Sequence, residues 1–401
     1  MKPLSPKATL ILACATFGGI GLSMASIGPA LPNLAANTGS TLTAVGAIFT
    51  ALFLGAMASG ATAGMLCDRL GFRPVWIAGV LLFATGLVGI ILSRSLPLLV
   101  AAGLFGGLGL GTLGLSMNML VVAVFPERSV AAVNLLNALH GVGAVLGPVA
   151  AGGTLKLWGS ALPLLAVGAT LLLVQIPWVM AMQSGPRTRA AQAQTAPRAS
   201  LRQLFRSPLL WVIGLSLMMY VGSEQGTSGW ITTYLTRSTG LGAATAALGT
   251  AAFWGSVTIG RLIAVWVGTR LSTVAMLRYS LLTGVVGGIL LAVSTGNLWL
   301  TGCAVFIMGV AFGPVYGTTA ALVAEVFPHA PGTAASVTMS LGSIGGMSLP
   351  FIQGVVLEQF GPRASVIQTA IGCVFVVLLH LTYSAMLRRR AWVQGAAVAQ
   401  A

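Results

Sequence analysis

Charge is what this sequence has least of. Only 6% of its 401 residues are charged, and five acids stand against twenty basic residues. A soluble domain carries about 25% charged residues. A water-facing surface cannot be built from so few charges, which excludes a soluble globular fold. A lipid-facing surface can, because a charge at the bilayer centre costs several kcal/mol and a Leu costs nothing. Cysteine is also sparse. Cys14, Cys67, Cys303 and Cys373 are scattered without metal-ligand spacing and read as small packing residues, so no metal site is expected. There is no Gly-Lys-Ser/Thr phosphate loop, so ATP drives nothing here. There is no nucleophile–base–acid arrangement, so the chain is not read as an enzyme and needs no cofactor. The net charge of +15 does not point to nucleic acid, because the basic residues form no stripe interleaved with aromatics.

What is abundant is apolar sequence. Hydrophobic residues make up 56% of the chain, and there are 53 glycines, which in membrane helices let backbones approach closely. A spanning helix needs about 20 apolar residues. Such runs fall near 8–31, 42–66, 75–93, 97–124, 130–154 and 160–182, then near 209–235, 243–268, 275–294, 298–324, 333–357 and 364–387. Lys2 and Lys7 precede the first run as in a signal peptide. That run continues to about Leu31 without a small-residue cleavage site, and it reads as a retained helix. The pattern predicts an all-α membrane protein of twelve transmembrane helices.

The only long polar stretch is 183–207, with Arg187, Arg189, Arg198, Arg202 and Arg206. It reads as a linker. It divides the chain into a first bundle of six helices (1–182) and a second (208–401) that ends in a short tail. With the N-terminus in the cytoplasm, 15 of the 20 basic residues fall on the cytoplasmic face. These are Lys2, Lys7, Arg69, Arg73, Arg128, the linker arginines, Arg270, Arg278 and Arg388 to Arg390. Arg94, Lys156, Arg237 and Arg363 fall on the other face, and Arg261 lies within a run. This asymmetry puts both termini inside, in a multi-pass protein of the cytoplasmic (inner) membrane.

The halves repeat. At a shift of 202, Gly111 meets Gly313, Phe125-Pro126 meets Phe327-Pro328, Gly143 meets Gly345, Pro148 meets Pro350 and Gly152 meets Gly354. Several matches in one ungapped register indicate a duplication. Duplicated bundles alternate access by rocking one repeat against the other around a midplane site.

After the second run the chain reads Gly64-Met65-Leu66-Cys67-Asp68-Arg69-Leu70-Gly71-Phe72-Arg73. This resembles the loop signature of the major facilitator superfamily, G-x-x-x-D-R-x-G-R-[RK]. Gly64, Asp68, Arg69, Gly71 and Arg73 match, and Phe72 replaces one basic residue. Gly268-Thr269-Arg270-Leu271-Ser272 is a weaker copy without its acid. The resemblance implies that fold over nearly the whole chain. It also implies a gating role for the loop acid and its arginines on the cytoplasmic side.

A narrower resemblance is to the fucose-permease-like branch of sugar/proton symporters. It rests on Asn137-Ala138-Leu139-His140-Gly141 with Gly143, Gly147 and Pro148, and on Glu224-Gln225-Gly226 followed by Gly229-Trp230-Ile231. Gly143-x-x-x-Gly147-Pro148 with Gly152-Gly153 also resembles a signature of proton-coupled drug exporters. The spacing after Pro148 is one residue too long for it, and 97–118 lacks those exporters' arginine. Uptake is therefore preferred over export.

Of the five acids, Asp68 and Glu127 lie at the cytoplasmic edge, Glu325 near it, and Glu358 near the opposite edge. Only Glu224 lies mid-span. An acid there is costly to ionise and marks an ion or substrate path, or else locks two helices as a neutral hydrogen-bonding group. Tyr220, Glu224 and Thr227 share a helix face. Gly222, Gly226 and Gly229 suggest that the seventh helix is locally irregular. Trp230 reads equally as a platform for a sugar ring and as an interfacial anchor. His140 can exchange protons, and Asn118, Asn134 and Asn137 can bind hydroxyls, although interhelical bonding explains any one Asn. Arg261 is a counter-charge for Glu224, a substrate ligand or a snorkelling residue. Gln175, Gln225, Tyr316 and Gln353 complete the candidates.

The sequence therefore predicts a monomeric secondary transporter whose partners are a small solute, protons and the bilayer. Proton-coupled uptake of a sugar-like polar solute leads. Proton-driven export of a drug or metabolite is the alternative, and a non-transporting receptor the second.

Overall fold

A computed structural model describes residues 5–181, 204–268, 270–294 and 296–399. Most of the linker 183–207 lies outside the described residues, as do Lys2 and Thr269. The described residues are helical and contain no strand.

The first half consists of α1 (Pro6–Thr38), the single turn α2 (Leu42–Val45), α3 (Ala47–Leu70), α4 (Phe72–Leu92), α5 (Leu96–Val124), α6 (Ser129–Trp158), α7 (Leu162–Leu173) and α8 (Ile176–Met180). The second half consists of α9 (Pro208–Thr239), α10 (Ala243–Val267), α11 (Thr273–Val293), α12 (Leu298–Phe312), α13 (Val315–Val326), α14 (Pro331–Gln359) and α15 (Gly361–Ala399).

The ends of these helices follow local chemistry. Ser5 caps α1 by accepting from the Ala8 amide at 3.3 Å, with Pro6 at the first helical position, and Gly39 ends the helix at φ 61°. Two expected runs are split where a proline removes a ladder donor. Pro177 cannot donate to the Leu173 carbonyl, and the sixth run divides into α7 and α8. Pro314 cannot donate to Val310, and the tenth divides into α12 and α13.

Among the described residues, eleven helical segments are long and apolar enough to cross a membrane. The seventh expected run, α9, is not among them. At 32 residues it is about 48 Å long and ample for a bilayer. It is excluded by composition, since Ser216, Tyr220, Ser223, Glu224, Thr227, Ser228, Thr232 and Thr233 are all buried on it.

The duplication is visible in the backbone. Phe125 ends α5 at φ −128° and ψ 63°, and Phe327, 202 residues later, ends α13 at φ −121° and ψ 59°. Gly143 of α6 abuts the Gly18 carbonyl of α1, and its counterpart Gly345 of α14 abuts the Met218 carbonyl of α9. The described residues pack around two hydrophobic cores that follow the two halves. Trp230 and Leu357 cross over into the first core, and Ala25 and Ala144 into the second.

The halves meet along α6 with α10, α3 with α14, and α1 with α9. These contacts gather toward the end of the bundle that carries Gly39. A Cβ at Gly28 of α1 would lie 2.7 Å from the Gly229 oxygen of α9. Thr50 of α3 donates to the Met347 carbonyl of α14 at 2.7 Å, and Gly152 of α6 abuts Ala244 of α10. Toward the other end, which carries Gly71, a Cβ at Gly114, Gly317 or Gly332 would meet open space. The contacts between the halves that these residues make thus belong to the Gly39 end and the middle of the bundle.

Candidate functional site

The site centres on the buried acid of α9. One helical turn places Tyr220 four residues before Glu224, and the Tyr220 hydroxyl lies 2.8 Å from Glu224 Oε1. The same hydroxyl lies 3.0 Å from the carbonyl oxygen of Phe312, the last residue of α12 before the break at Pro314. Gln225, the next residue along the helix, and the Arg261 guanidinium of α10 lie within electrostatic reach of the Glu224 carboxyl. Glu224 is 5% exposed. An acid so deeply buried is tolerated only with partners of this kind.

The first half contributes His140 of α6. Its ring stands edge-on to Phe17 of α1 at 6.3 Å and to Trp254 of α10 at 6.4 Å. Trp254 continues to Phe253 at 5.8 Å, Phe253 to Phe312 at 6.3 Å, and Phe312 to Tyr220 at 5.4 Å. An unbroken aromatic chain thus runs from α1 across the seam to the tyrosine that holds the acid. Arg261 lies within electrostatic reach of His140 as well, so one guanidinium serves groups on both sides of the seam. Tyr316, on the first turn of α13, is 42% exposed and within reach of Glu224.

The structure brings Glu224, Tyr220, Gln225, Arg261, Tyr316 and His140 together. The bonds of the other candidates lie elsewhere. Trp230 is 1% exposed and donates from Nε1 to the Pro350 carbonyl at 2.7 Å. A Cβ at Gly46, between α2 and α3, would lie 3.1 Å from its ring, which also abuts Gly354 of α14. It is neither an exposed sugar platform nor an interfacial anchor; it is packed into the seam. Gln353 donates to Thr369 Oγ1 of α15 at 3.2 Å, within the second half. Asn118 and Asn137 donate to carbonyls of their own helices, Gly114 at 2.7 Å and Val133 at 2.9 Å. Gln175, at the α7–α8 break, accepts from Thr16 of α1 at 2.7 Å and fastens the first half to itself.

The expected irregularity of the seventh helix is corrected. α9 is continuous from Pro208 to Thr239. Its glycines answer to packing: Gly222 abuts Leu349, Gly226 abuts Gln353, and a Cβ at Gly229 would lie 2.6 Å from the Phe49 ring. The break beside the acid lies in the tenth run instead. Sequence reading overlooked the Phe312 carbonyl and Ser228, whose Oγ accepts from Trp254 Nε1 at 2.6 Å. Gly313-Pro314 within an apolar run was the available signal for the first.

At the Gly71 end, Asp68 and Arg69 occupy the last turn of α3 and Arg73 the first turn of α4. Gly71 between them has φ 85° and ψ 168°, a conformation essentially closed to other residues. In the second half, Arg270 packs over the Trp266 ring at 4.7 Å, and Thr273 donates to Glu325 Oε1 at 2.7 Å, tying α11 to α13.

Comparison with known proteins places this geometry in context. The sequence profile of the Major Facilitator Superfamily matches residues 12–350. The human sodium-dependent glucose transporter 1 is 23% identical over 94% of this chain and 80% of its own length. Among solved structures, a nucleoside transporter superposes with a TM-score of 0.79 at 17% identity, covering 95% of this chain and 100% of that one. The fucose:proton symporter of E. coli superposes with a TM-score of 0.64 at 19% identity, covering 93% of this chain and 98% of that one. At these identities the solved structures speak for the fold.

Proposed function

Because the chain belongs to the Major Facilitator Superfamily, we propose that it is a secondary transporter of the cytoplasmic membrane that takes up a small polar solute, sugar-like or nucleoside-like, together with a proton. The carrying observation is the placement of Glu224. The single mid-span acid is buried, bonded to Tyr220 and within reach of Arg261 and Tyr316, and Arg261 in turn lies within reach of His140 of the other half. A buried carboxyl that is opened to one side of the membrane in one conformation and to the other side in the next is what proton coupling by alternating access requires.

The proposal includes twelve spans, with α9 as the one that composition alone hides. It places both termini and the linker 183–207 in the cytoplasm, between bundles 1–182 and 208–401, in a monomer. With that orientation the Gly71 end faces the cytoplasm, and a seam held together toward the Gly39 end corresponds to an inward-open form. The names of the relatives favour sugars and nucleosides over drugs, and the departures from the exporter signature favour uptake over export.

A panel of hexoses, pentoses and nucleosides screened by thermal shift on the purified protein identifies the solute, since a bound ligand raises stability. In proteoliposomes, an imposed proton gradient then drives accumulation with acidification of the lumen, and Glu224→Gln abolishes accumulation while sparing counterflow. Normal accumulation in that variant overturns the proton reading. The human relative's name gives a second reading, sodium coupling, in which replacing sodium with potassium stops uptake and collapsing the proton gradient does not.

A further inference from the structure

Hydrogen atoms around Tyr220 can be counted. A phenol has one O–H to donate. The Tyr220 oxygen nevertheless sits at hydrogen-bond distance from two acceptors, 2.8 Å from Glu224 Oε1 and 3.0 Å from the Phe312 carbonyl oxygen. A carbonyl oxygen accepts only, and an ionised carboxylate accepts only. With Glu224 ionised, one of the two contacts has no proton in it. With Glu224 protonated, the carboxyl O–H donates to the Tyr220 oxygen, and Tyr220 turns its own proton to Phe312. Both contacts are then filled.

Phe312 is not an arbitrary acceptor. It ends α12, and Pro314 has already removed the next ladder bond, so α12 and α13 are joined by a two-residue break. The bond from Tyr220 is a pin that holds this break against α9. The geometry points to Tyr220 as the residue that reports the protonation of Glu224 to the α12–α13 break: protonation sets the pin, and deprotonation draws the Tyr220 proton to the carboxylate and withdraws it.

This rests on Glu224 as the proton carrier and adds the route by which its charge moves a helix. The other groups facing the acid are Gln225 on its own helix, Arg261 on α10 and Tyr316 on α13; His140 on α6 lies within reach of Arg261. Cys373 of α15 lines the same small cavity beside Tyr220. No bond changes other than the O–H gained or lost at Glu224 and the rotation of the Tyr220 hydroxyl. Tyr220 keeps its proton throughout.

The test uses the full chain in nanodiscs with no solute. Nitroxides at Ala123→Cys and Ser336→Cys, on α5 and α14 at the Gly71 end, report separation of the halves there by their distance distribution. Infrared difference spectra report the protonated Glu224 carboxyl as the band that Glu224→Gln removes. Between about pH 8 and about pH 5, the otherwise unaltered protein gains the band and shifts toward the open form by about fivefold, the worth of one hydrogen bond. Tyr220→Phe gains the band but shifts less than about twofold. Glu224→Gln shows the same distribution at both pH values. A Tyr220→Phe protein that shifts like its parent overturns the pin, as does a Glu224→Gln protein that still shifts with pH. Absence of any band assignable to Glu224 overturns the proton reading instead. The Glu224→Gln arm decides the question should Tyr220→Phe not fold.

Discussion

Glu358 Oε2, at the end of the second half's α14, accepts a hydrogen bond of 2.8 Å from the backbone amide of Thr43, in the first half's α2. The Thr43 hydroxyl donates in turn to the Gly354 carbonyl at 3.2 Å. Two bonds from one residue thus bind the halves at the Gly39 end. Glu358→Gln keeps the shape and weakens the acceptor. Because the site is exposed and screened by water, the expected effect is modest, about a threefold shift toward the form open at this end. Alkylation of Thr50→Cys, half-buried in the same seam, should speed up by that factor.

A larger effect is expected at Gly28. A side chain there would press on the Gly229 oxygen at 2.7 Å, and Gly28→Val wedges the seam. Neither half's own core is disturbed, so the melting temperature falls by a few degrees. Solute uptake falls by at least about tenfold, because the closed seam cannot form.

At Gly71 the prediction concerns stability. Its φ of 85° with ψ of 168° is a glycine conformation. Gly71→Ala should cost about 1–3 kcal/mol, read as a lower melting temperature, or displace Asp68 and Arg73 from their places across the turn. Asp68→Asn, which leaves the backbone alone, separates the two outcomes. It should change the balance of inward and outward forms without lowering the melting temperature.

Gln175 offers a contrast. Its bond to Thr16 joins two helices of one half, so Gln175→Leu should lower stability by about 0.5–1 kcal/mol, as interhelical hydrogen bonds in membranes do. The apparent KM for the solute should stay within about twofold.

The helices were legible because hydrophobic runs in a membrane protein are long and their breaks few. The repeat was legible because glycine and proline hold backbone positions that later substitution leaves alone, and Phe125 and Phe327 end their helices in the same conformation. Side-chain roles were less so. Glu224 stands out as a cost that something must offset, and Arg261 is legible as a possible counter-charge and His140 as a group that can exchange protons. Trp230 was misread because a tryptophan near a helix end suits an interface on composition grounds, while its indole N–H reaches the Pro350 carbonyl, 120 residues away. The Gly222, Gly226 and Gly229 series resembled an unwound helix because glycine serves close packing and irregular backbone alike. Only the neighbours Leu349, Gln353 and Phe49 distinguish the two.

The burial of a lone acid in the second half has a thermodynamic consequence. The repeats are equal in backbone and unequal in charge. Of five acids in the whole chain, one sits at mid-depth. If Glu224 is the sole proton carrier, that centre loads a single proton per turnover, and the work available to each solute molecule is one proton's worth of electrochemical potential. The concentration ratio the protein can sustain is then bounded by that force, and no refinement of the packing around Glu224 raises the ceiling.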